Sequence, residues 1–197
     1  MLAEKLLLDR GGTVKQYKKN RYIFIEGSMP FFYFQVLNGS VKMVSEHDNG
    51  KEFLQGIFSS GQSFGEPVLF IDKPYPASAI ANEDCLLITI RKEEFIKILK
   101  EFPEVHLVFT AVLARRIYVK SLIARAISIN APESRVFAVL KILRDSYSGS
   151  EKQKYKIELS RRQIADMAGF RVETVIRTIK KLEKKDLLKI NNGKIYL

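Results

Sequence analysis

Glu173 and Arg177 are the two residues of this chain whose chemistry and spacing best suit contact with nucleic-acid bases. They stand four residues apart in VETVIR, so one turn of a helix would place both side chains on the same face. A carboxylate accepts a hydrogen bond from cytosine N4, and a guanidinium donates two to guanine O6 and N7. The pair therefore predicts contacts with adjacent base pairs, provided that a helix carries it.

The stretch 160–182, SRRQIADMAGFRVETVIRTIKKL, is typical of two short helices that share a tight turn. Ser160 and Gln163 have the spacing of a capping box, and Gly169 tolerates the left-handed conformation that ends a helix. The second helix has an apolar stripe at steps of four and three, opposite a charged face. The stripe is Val175, Ile179 and Leu182, and the charged face is Arg171, Glu173, Arg177, Lys180, Lys181 and Lys184. This pattern predicts a helix-turn-helix with a basic recognition helix.

The last twelve residues, DLLKINNGKIYL, contain two short apolar runs around Asn192-Gly193, a strong signal for a two-residue β-hairpin. A helix-turn-helix followed by a hairpin is the winged-helix arrangement, in which Lys189 and Lys194 would face phosphates. An ordinary helical hairpin with a solvated charged face is the alternative, and the terminal hairpin disfavours it.

The positive charge is concentrated in the same part of the chain. Of the net charge of +11, residues 131–197 carry +8, from 16 Lys and Arg against 8 Asp and Glu. Such a concentration is the electrostatic footprint of phosphate binding, so double-stranded DNA is the predicted partner. The chain has no apolar run long enough for a membrane span, and its N-terminus does not resemble a signal peptide. We expect a soluble cytoplasmic protein without a membrane partner.

Residues 13–90 are typical of short strands separated by turns. The runs YIFIEG, FFYFQVLNG, SVKMVSE, KEFLQGIF and LLITI are rich in aromatic and β-branched residues. Gly27, Asn38-Gly39, Asn49-Gly50 and Gly61 divide them. Evenly spaced short strands predict an antiparallel roll or barrel. The single cysteine, Cys85, excludes an internal disulfide and a four-cysteine zinc site, and its place in a strand predicts a small buried apolar residue.

Nearly the whole chain resembles the Crp/Fnr superfamily of bacterial transcription regulators. The resemblance rests on YIFIEGSMPFFYFQVLNGSVKM, GQSFGEPVLF and PYPASAIA, together with the helix-turn-helix. It implies an α+β protein in three parts: a jelly-roll-like antiparallel β-roll sensor domain (1–101), a long dimerisation helix (102–130) and a winged helix-turn-helix domain (131–197). Such a regulator is not an enzyme, and it contacts RNA polymerase if it is an activator.

The resemblance also implies an effector pocket, from which this chain departs at one position. In cAMP-responsive members a glutamate binds the ribose, and an arginine followed by a small hydroxyl residue binds the cyclic phosphate. Here the arginine is expected within Lys73–Ser78, which has none, and a phenol replaces a guanidinium poorly as an anion ligand. Cyclic AMP is therefore disfavoured; a pocket filled by its own Phe and Tyr side chains and an unidentified, less anionic effector remain as alternatives. The candidate pocket residues are Phe64, Gly65, Glu66, Tyr75, Ala77, Ser78 and Arg116.

The two histidines, His47 and His106, argue against haem and metal cofactors. Neither has a His or Cys partner at the spacing of metal ligands. A turn position for His47 and a helix-surface position for His106 are the predictions, and no cofactor is expected. A metal-dependent cupin-like enzyme, which needs clustered His and carboxylate ligands, is disfavoured for the same reason. A ligand-binding β-roll module without DNA function is opposed by the Glu173 and Arg177 pair.

The connecting helix is predicted to begin at Pro103 and to run to about Asn130, where Ala131-Pro132 follows. Apolar residues at steps of four and three form a heptad pattern interrupted by Arg116, and they predict a parallel homodimer. Arg116 would turn towards Glu66. One long core helix in a monomer is the alternative. The predicted dimer interface is Val105, Phe109, Val112, Val119, Ile123 and Ala126.

The segment VETVIR matches the family's recognition-helix motif, E-T-V or E-T-I followed by x-R. Val172 stands where cAMP-type members carry an arginine, which favours a TTGA-like half-site over a GTGA-like one. Val172 and Ile176 share a face that would meet thymine methyls. Ser160, Arg161 and Thr174 suit phosphates, and the remaining residues assigned to DNA binding are Arg171 and Lys181.

Overall fold

The structure is a computed structural model that describes residues 2–46, 52–147, 155–157 and 159–197. It divides into two compact units, residues 1–114 and 115–197, and the long helix α4 (Pro103–Ile127) contributes to each. Helices are combined with antiparallel sheets, so the predicted α+β fold class is confirmed. Among the described residues, no helix is both long enough and apolar enough to cross a membrane.

The described part of the first unit contains eight short strands and three helices besides α4. The strands are β1 (Thr13–Tyr17), β2 (Tyr22–Phe24), β3 (Phe32–Asn38), β4 (Ser40–Glu46), β5 (Glu52–Ser59), β6 (Ser63–Phe64), β7 (Ser78–Ala81) and β8 (Cys85–Arg91). The helices are α1 (Glu4–Asp9), α2 (Pro67–Ile71) and α3 (Lys92–Glu101). The five predicted strands are present, whereas β1, β6, β7 and the helices α1 and α3 had no prediction from the sequence pattern.

The strands form two four-stranded sheets in which every pairing is antiparallel. The first sheet has the order β1-β8-β3-β6 and the second the order β2-β7-β4-β5. Alternate residues of both sheets point into one shared apolar core, because successive side chains of a strand face opposite sides. Its members include Phe34, Val36 and Leu87 from the first sheet, and Val41, Met43 and Ala79 from the second.

The outer face of the first sheet is covered by α1, α3 and the start of α4. Tyr33 stacks on Phe95 with ring centroids 4.1 Å apart, and Phe109 meets the edge of Phe95 at 5.3 Å. Strands β3 and β8 are therefore buried on both faces. That double burial explains why residues 33–36 and 87–90 are buried without alternation and are mostly apolar.

The described part of the second unit has three further helices and a small sheet. Besides the end of α4, it consists of α5 (Pro132–Tyr147), β9 (Lys156–Ile157), α6 (Arg161–Ala168), α7 (Val172–Lys184), β10 (Lys189–Asn191) and β11 (Lys194–Tyr196). The sheet order is β10-β11-β9, and β9 had no prediction from the sequence. One apolar core joins the helices to this sheet, with Val139, Ile164, Val175, Ile179 and Ile195 at 0–1% exposure.

Helix α4 begins at Pro103 as predicted, but two of its predicted dimer residues are already covered within the chain. Phe109 is 3% exposed in the core of the first unit, and Ala126 is 3% exposed in the core of the second. The prediction that these two face a partner is wrong, because no surface remains for one. Val105 also packs against the first core. Leu113 packs there too, whereas Ile117 is 67% exposed.

Gly39 lies where the chain passes from the first sheet to the second. Asn38-Gly39 usually signals a hairpin, yet β3 and β4 belong to different sheets here. Gly39 has φ +79°, and a Cβ at this position would lie 2.5 Å from the Asp84 carbonyl oxygen and 2.8 Å from Cys85 Cβ. The left-handed backbone and the close approach both require glycine.

Replacing Gly39 by alanine should destabilise the first unit by roughly 2–4 kcal/mol, because strain at positive φ adds to a clash with backbone. Urea denaturation followed by circular dichroism measures the loss. Gly27→Ala is the matched control, since Gly27 has φ +83° and open space around its Cβ position. We expect the control to cost about 1–2 kcal/mol. Equal losses in the two variants would show that the approach to Asp84 does not matter.

Candidate functional site

The first helix of the predicted helix-turn-helix is capped at both ends as the sequence indicates. The Gln163 amide donates to Ser160 Oγ at 3.2 Å, and the Ser160 amide donates to Gln163 Oε1 at 2.7 Å. Gly169 has φ +67° and ends α6 in the left-handed conformation. The capping box and the Gly169 turn are confirmed, and they set the direction in which the chain enters α7.

Helix α7 has one face in the core and one in solvent. Val175, Ile179 and Leu182 are buried as predicted, and Thr178 joins them at 4% exposure. Glu173 and Arg177 both lie on the exposed face, one turn apart. Burial of the apolar stripe therefore determines which residues α7 presents to a ligand. The other exposed residues of this face are Arg171, Ile176, Lys180, Lys181 and Lys184.

The two C-terminal strands form the predicted hairpin, or wing. Asn192 and Gly193 have φ +45° and +74°, the two positive values that a type I′ turn requires. Glu183 of α7 attaches the wing to the helix, because its Oε1 accepts from the Ile190 amide at 2.9 Å. The exposed Lys194 follows the turn directly, and Lys189 is exposed on the other strand.

A concave surface of about 520 Å³ lies between the start of α6, the exposed side of α7 and the wing. Arg161, Lys180 and Lys194 line it, one from each of these elements. Burial lowers the pKa of Arg161, while the carboxylate of Glu183 acts in the opposite direction. Arginine remains protonated in proteins, and Lys180 and Lys194 add two further basic side chains to this surface. The surface suits a phosphate group of a nucleic-acid backbone.

Arg135 connects the segment after α4 to the turn of the helix-turn-helix. Its Nε donates to the Ile129 carbonyl at 2.6 Å, and its Nη1 donates to the Ala168 carbonyl at 3.3 Å. The guanidinium also lies 4.4 Å from the ring centroid of Phe170. These contacts hold the turn between α6 and α7 against α5, within the second unit.

Glu133 at the start of α5 forms ion pairs with Lys181 at 3.4 Å and with Lys185 at 2.5 Å. Hydrogen bonds from these lysines hold the pKa of Glu133 below its usual range. Lys181, predicted to bind DNA, thus has a partner within its own unit. Sequence reasoning missed Arg135 and Glu183, because their partners are backbone atoms brought close only by folding.

The interior of the β-roll contains a cluster of aromatic rings. Tyr75 stacks on Phe24 with centroids 3.6 Å apart and an angle of 8° between the ring planes. Phe34 and Phe64 stack at 5.4 Å, and Phe58 lies 5.8 Å from Phe64. All of these rings except that of Phe58 are at most 8% exposed. They supply the Phe and Tyr filling that one of the two alternatives for the pocket requires.

The structure brings most of the predicted pocket residues to this interior. A Cβ at Gly65 would lie 2.9 Å from the Phe24 ring and 3.1 Å from that of Tyr75, and Ala77 is fully buried in the same core. Glu66 is 1% exposed, and burial together with this carboxylate raises the pKa of Tyr75. The other two predicted residues are Ser78, whose Oγ accepts from the Glu26 amide at 2.9 Å, and Arg116, which belongs to the second unit.

The histidine predictions have different outcomes. His106 is exposed in the first turn of α4, as predicted, whereas His47 lies outside the described residues. Within the described ranges, no three His, Cys, Asp or Glu side chains are grouped closely enough to hold a metal ion. Cys85 is 2% exposed in β8, and burial raises the pKa of its thiol.

A capped helix-turn-helix with an exposed basic recognition helix and an adjoining hairpin wing defines a winged-helix DNA-binding domain. The two-sheet roll that precedes it in the chain has the architecture of a small-molecule sensor domain. Fold and site together therefore define a DNA-binding regulator with a sensor-like roll.

Comparison with protein-family models supports both parts. Residues 14–102 match the cyclic nucleotide-binding domain, and residues 134–197 match the Crp-like helix-turn-helix domain. The chain belongs to the Crp/Fnr superfamily of transcription regulators.

Relatives and solved structures share this organisation over nearly the whole chain. The Cyclic AMP receptor protein of Thermus thermophilus is 27% identical over 91% of this chain and 81% of its own length. A CooA mutant from Carboxydothermus hydrogenoformans has a similar fold, with a TM-score of 0.80 at 21% identity over 100% of this chain and 87% of that one. FixK2 from Bradyrhizobium japonicum also has a similar fold, with a TM-score of 0.76 at 20% identity over 94% of this chain and 92% of that one.

Cyclic AMP should have little effect on the thermal stability of this protein, because a ligand stabilises only through its affinity for the folded state. The roll interior is filled by rings, and Tyr75 stands where an arginine is expected. With a dissociation constant of about 1 mM or weaker, 1 mM cAMP would add at most about 0.4 kcal/mol. Differential scanning fluorimetry measures this change.

The double variant Tyr75→Arg, Pro76→Ser is the informative comparison. It restores a guanidinium and a small hydroxyl residue at the expected positions and removes the stacked Tyr75 ring, so we expect a measurable gain in cAMP affinity by calorimetry. Micromolar binding of cAMP by the unmodified protein would contradict this account of the roll.

Proposed function

We propose that this protein is a homodimeric transcription regulator that binds a palindromic, TTGA-like DNA site and responds to an effector other than cAMP, or to none. The observation that carries the proposal is the exposed face of α7, where Glu173 and Arg177 are one turn apart above a buried stripe. An electrophoretic mobility shift with a TTGA-palindrome duplex tests it, and a GTGA palindrome of equal length is the control.

Base contacts come from the first two turns of α7. Arg177 donates to guanine O6 and N7, and Glu173 accepts from a cytosine N4. Ile176 is 39% exposed and faces a thymine methyl, whereas Val172 is half-buried and packs partly on the core of its own unit. The absence of an arginine at position 172 supports TTGA over GTGA.

Phosphate contacts surround these base contacts. Ser160 and Arg161 lie at the start of α6, and Thr174 and Arg171 lie at the start of α7, where amide groups and cations both suit an anion. Lys180 and Lys194 extend the positive surface towards the wing. Because phosphate contacts are independent of sequence, they supply affinity and orientation instead of discrimination.

The homodimer is supported by a stripe of α4 that the chain leaves uncovered. Leu107 is 71% exposed and Ile117 is 67% exposed, and the small exposed residues Ala111 and Ala114 lie between them on the same side. Small residues let two helices approach closely, and the flanking large residues supply apolar area. This stripe replaces Phe109 and Ala126 as the dimer face; Val112, Val119 and Ile123 are half-buried and remain the earlier alternative.

An effector other than cAMP is supported by the ring-filled roll and by the missing arginine. The relative from Thermus thermophilus is named for cyclic AMP, and that ligand does not transfer to this chain for the same two reasons. If the regulator is an activator, RNA polymerase is its further partner.

Arg177→Ala should weaken binding to the preferred site by about 1–3 kcal/mol and flatten discrimination at one G·C pair, because it removes a bidentate contact to guanine. Lys184→Ala, also on the exposed side of α7, should weaken binding to all duplexes and lower the salt dependence. Competition shifts with single-base variants of the site measure both effects. Unchanged sequence preference in Arg177→Ala would mean that α7 docks differently.

Ile117→Asp should convert the dimer to a monomer and abolish binding to the palindrome, because two carboxylates would meet across the proposed face. Both half-sites, about one helical turn apart, must be bound at once. Val119→Asp is the matched variant, since Val119 lies on nearly the opposite side of the helix. Sedimentation velocity distinguishes the two faces. If Ile117→Asp leaves the dimer intact and Val119→Asp dissociates it, the interface is the heptad face predicted from the sequence.

A further inference from the structure

The outer surface of the roll has an apolar groove of about 370 Å³. It is formed by β2, the turn that follows it and the start of β3, with the Tyr75 ring at its base. Four of its lining residues are large apolar side chains that are strongly exposed: Tyr22 at 49%, Ile25 at 59%, Met29 at 47% and Phe31 at 64%. Exposed apolar surface of this kind in a concave site marks a binding site.

The groove is preformed by backbone hydrogen bonds. The Gly27 amide donates to the Tyr75 carbonyl at 2.8 Å, and the Tyr75 amide donates to the Ser28 carbonyl at 2.9 Å. The Glu26 amide donates to Ser78 Oγ. These bonds hold the turn against the segment before β7, so a ligand would meet the rings in place and would lose little free energy in ordering them.

The lining determines which chemistry the groove accepts. It contains no Asp, Glu, Lys, Arg or His side chain. The hydroxyl of Ser28 already donates to the Ile25 carbonyl at 2.5 Å. Burial first, and the Glu66 carboxylate second, raise the pKa of Tyr75 at the base of the groove. Lys15 Nζ lies 5.5 Å from the Phe32 ring centroid, but its side chain does not line the groove, so an anionic ligand would be desolvated among apolar side chains.

We infer that this groove binds a neutral, planar aromatic small molecule. Its volume lies in the range of small-molecule sites, about 300–1,000 Å³, and its walls are rings suited to stacking on another ring. Tyr75 belongs both to the groove and to the ring cluster of the interior, so the bound molecule touches the same segment that carries the family's effector residues. Its role as the effector rests on the function proposed above, whereas its binding does not.

N-phenyl-1-naphthylamine, a neutral dye that fluoresces in apolar sites, tests the inference on the full chain. We expect its fluorescence to saturate at one dye per chain. 1-Anilinonaphthalene-8-sulfonate has the same ring system with a sulfonate added, and we expect it to bind about tenfold more weakly in 0.3 M salt, which screens the general attraction of a basic protein.

Met29→Asp should weaken binding of the neutral dye by about tenfold or more, because a carboxylate would then line the groove. Val14→Asp is the matched control. Val14, at 49% exposure, is about as exposed as Met29, at 47%, but it lies on β1 outside the groove. The control should bind the dye like the unmodified chain. Circular dichroism of both variants confirms that they fold.

Two results would overturn the inference: no saturable binding of the neutral dye by the unmodified chain, or equal binding by Met29→Asp. Mobility shifts on the same preparations separate this failure from that of the proposed function. A chain that binds the TTGA palindrome but not the dye keeps its proposed function and loses only the groove ligand. A chain that binds the dye but no DNA duplex keeps the groove ligand and loses its proposed function.

Discussion

Aromatic packing between the two sheets is the interaction on which the first unit depends. Phe24 of the second sheet stacks on Tyr75, and the rings of Phe34 and Phe64 of the first sheet lie against Phe24 at 5.7 and 6.0 Å. Large rings bury more apolar area than aliphatic side chains, so a few contacts join both sheets. The same rings fill the interior of the roll, so the packing that joins the sheets also determines how much of this interior a ligand could enter.

In the second unit, the comparable constraint is burial of one stripe of α7. Once Val175, Ile179 and Leu182 enter the core, geometry turns Glu173 and Arg177 outward. Contacts to backbone atoms then orient this helix against its neighbours. Glu183 holds the wing through an amide, and Arg135 holds the turn of the helix-turn-helix through two carbonyls. These positioning contacts hold in one arrangement the groups that we propose for base and phosphate contacts, and a bidentate contact requires such positioning.

Helix α4 shows how one amphipathic pattern serves two purposes. Its early residue Phe109 completes the core of the roll, and its late residue Ala126 completes the core of the second unit. A stripe that includes Leu107 and Ile117 stays exposed in the single chain. In the homodimer that we propose, burial of this stripe would supply the driving force for association.

Local features of this chain were determined by the sequence alone. Each of these features depends on a few neighbouring residues: the capping box at Ser160, the left-handed turn at Gly169, the hairpin at Asn192-Gly193 and the spacing of Glu173 and Arg177. The structure confirms the capping box, the turn and the hairpin, and it shows that Glu173 and Arg177 are exposed. Most of the strands also followed from local composition, and the α+β class followed from the family resemblance.

Only the tertiary structure decided which residues meet across long sequence distances. The heptad pattern of α4 could not distinguish its core face from a partner face, because Phe109 is buried by Tyr33 and Phe95 from elsewhere in the chain. Asn38-Gly39 was a turn signal, but its role in joining two sheets depends on the close approach of Asp84. The ring-filled interior, the basic concave surface and the outer groove likewise arise from side chains that local patterns place on separate elements. Contacts between distant residues form only when the chain folds, and for that reason local sequence patterns do not predict them.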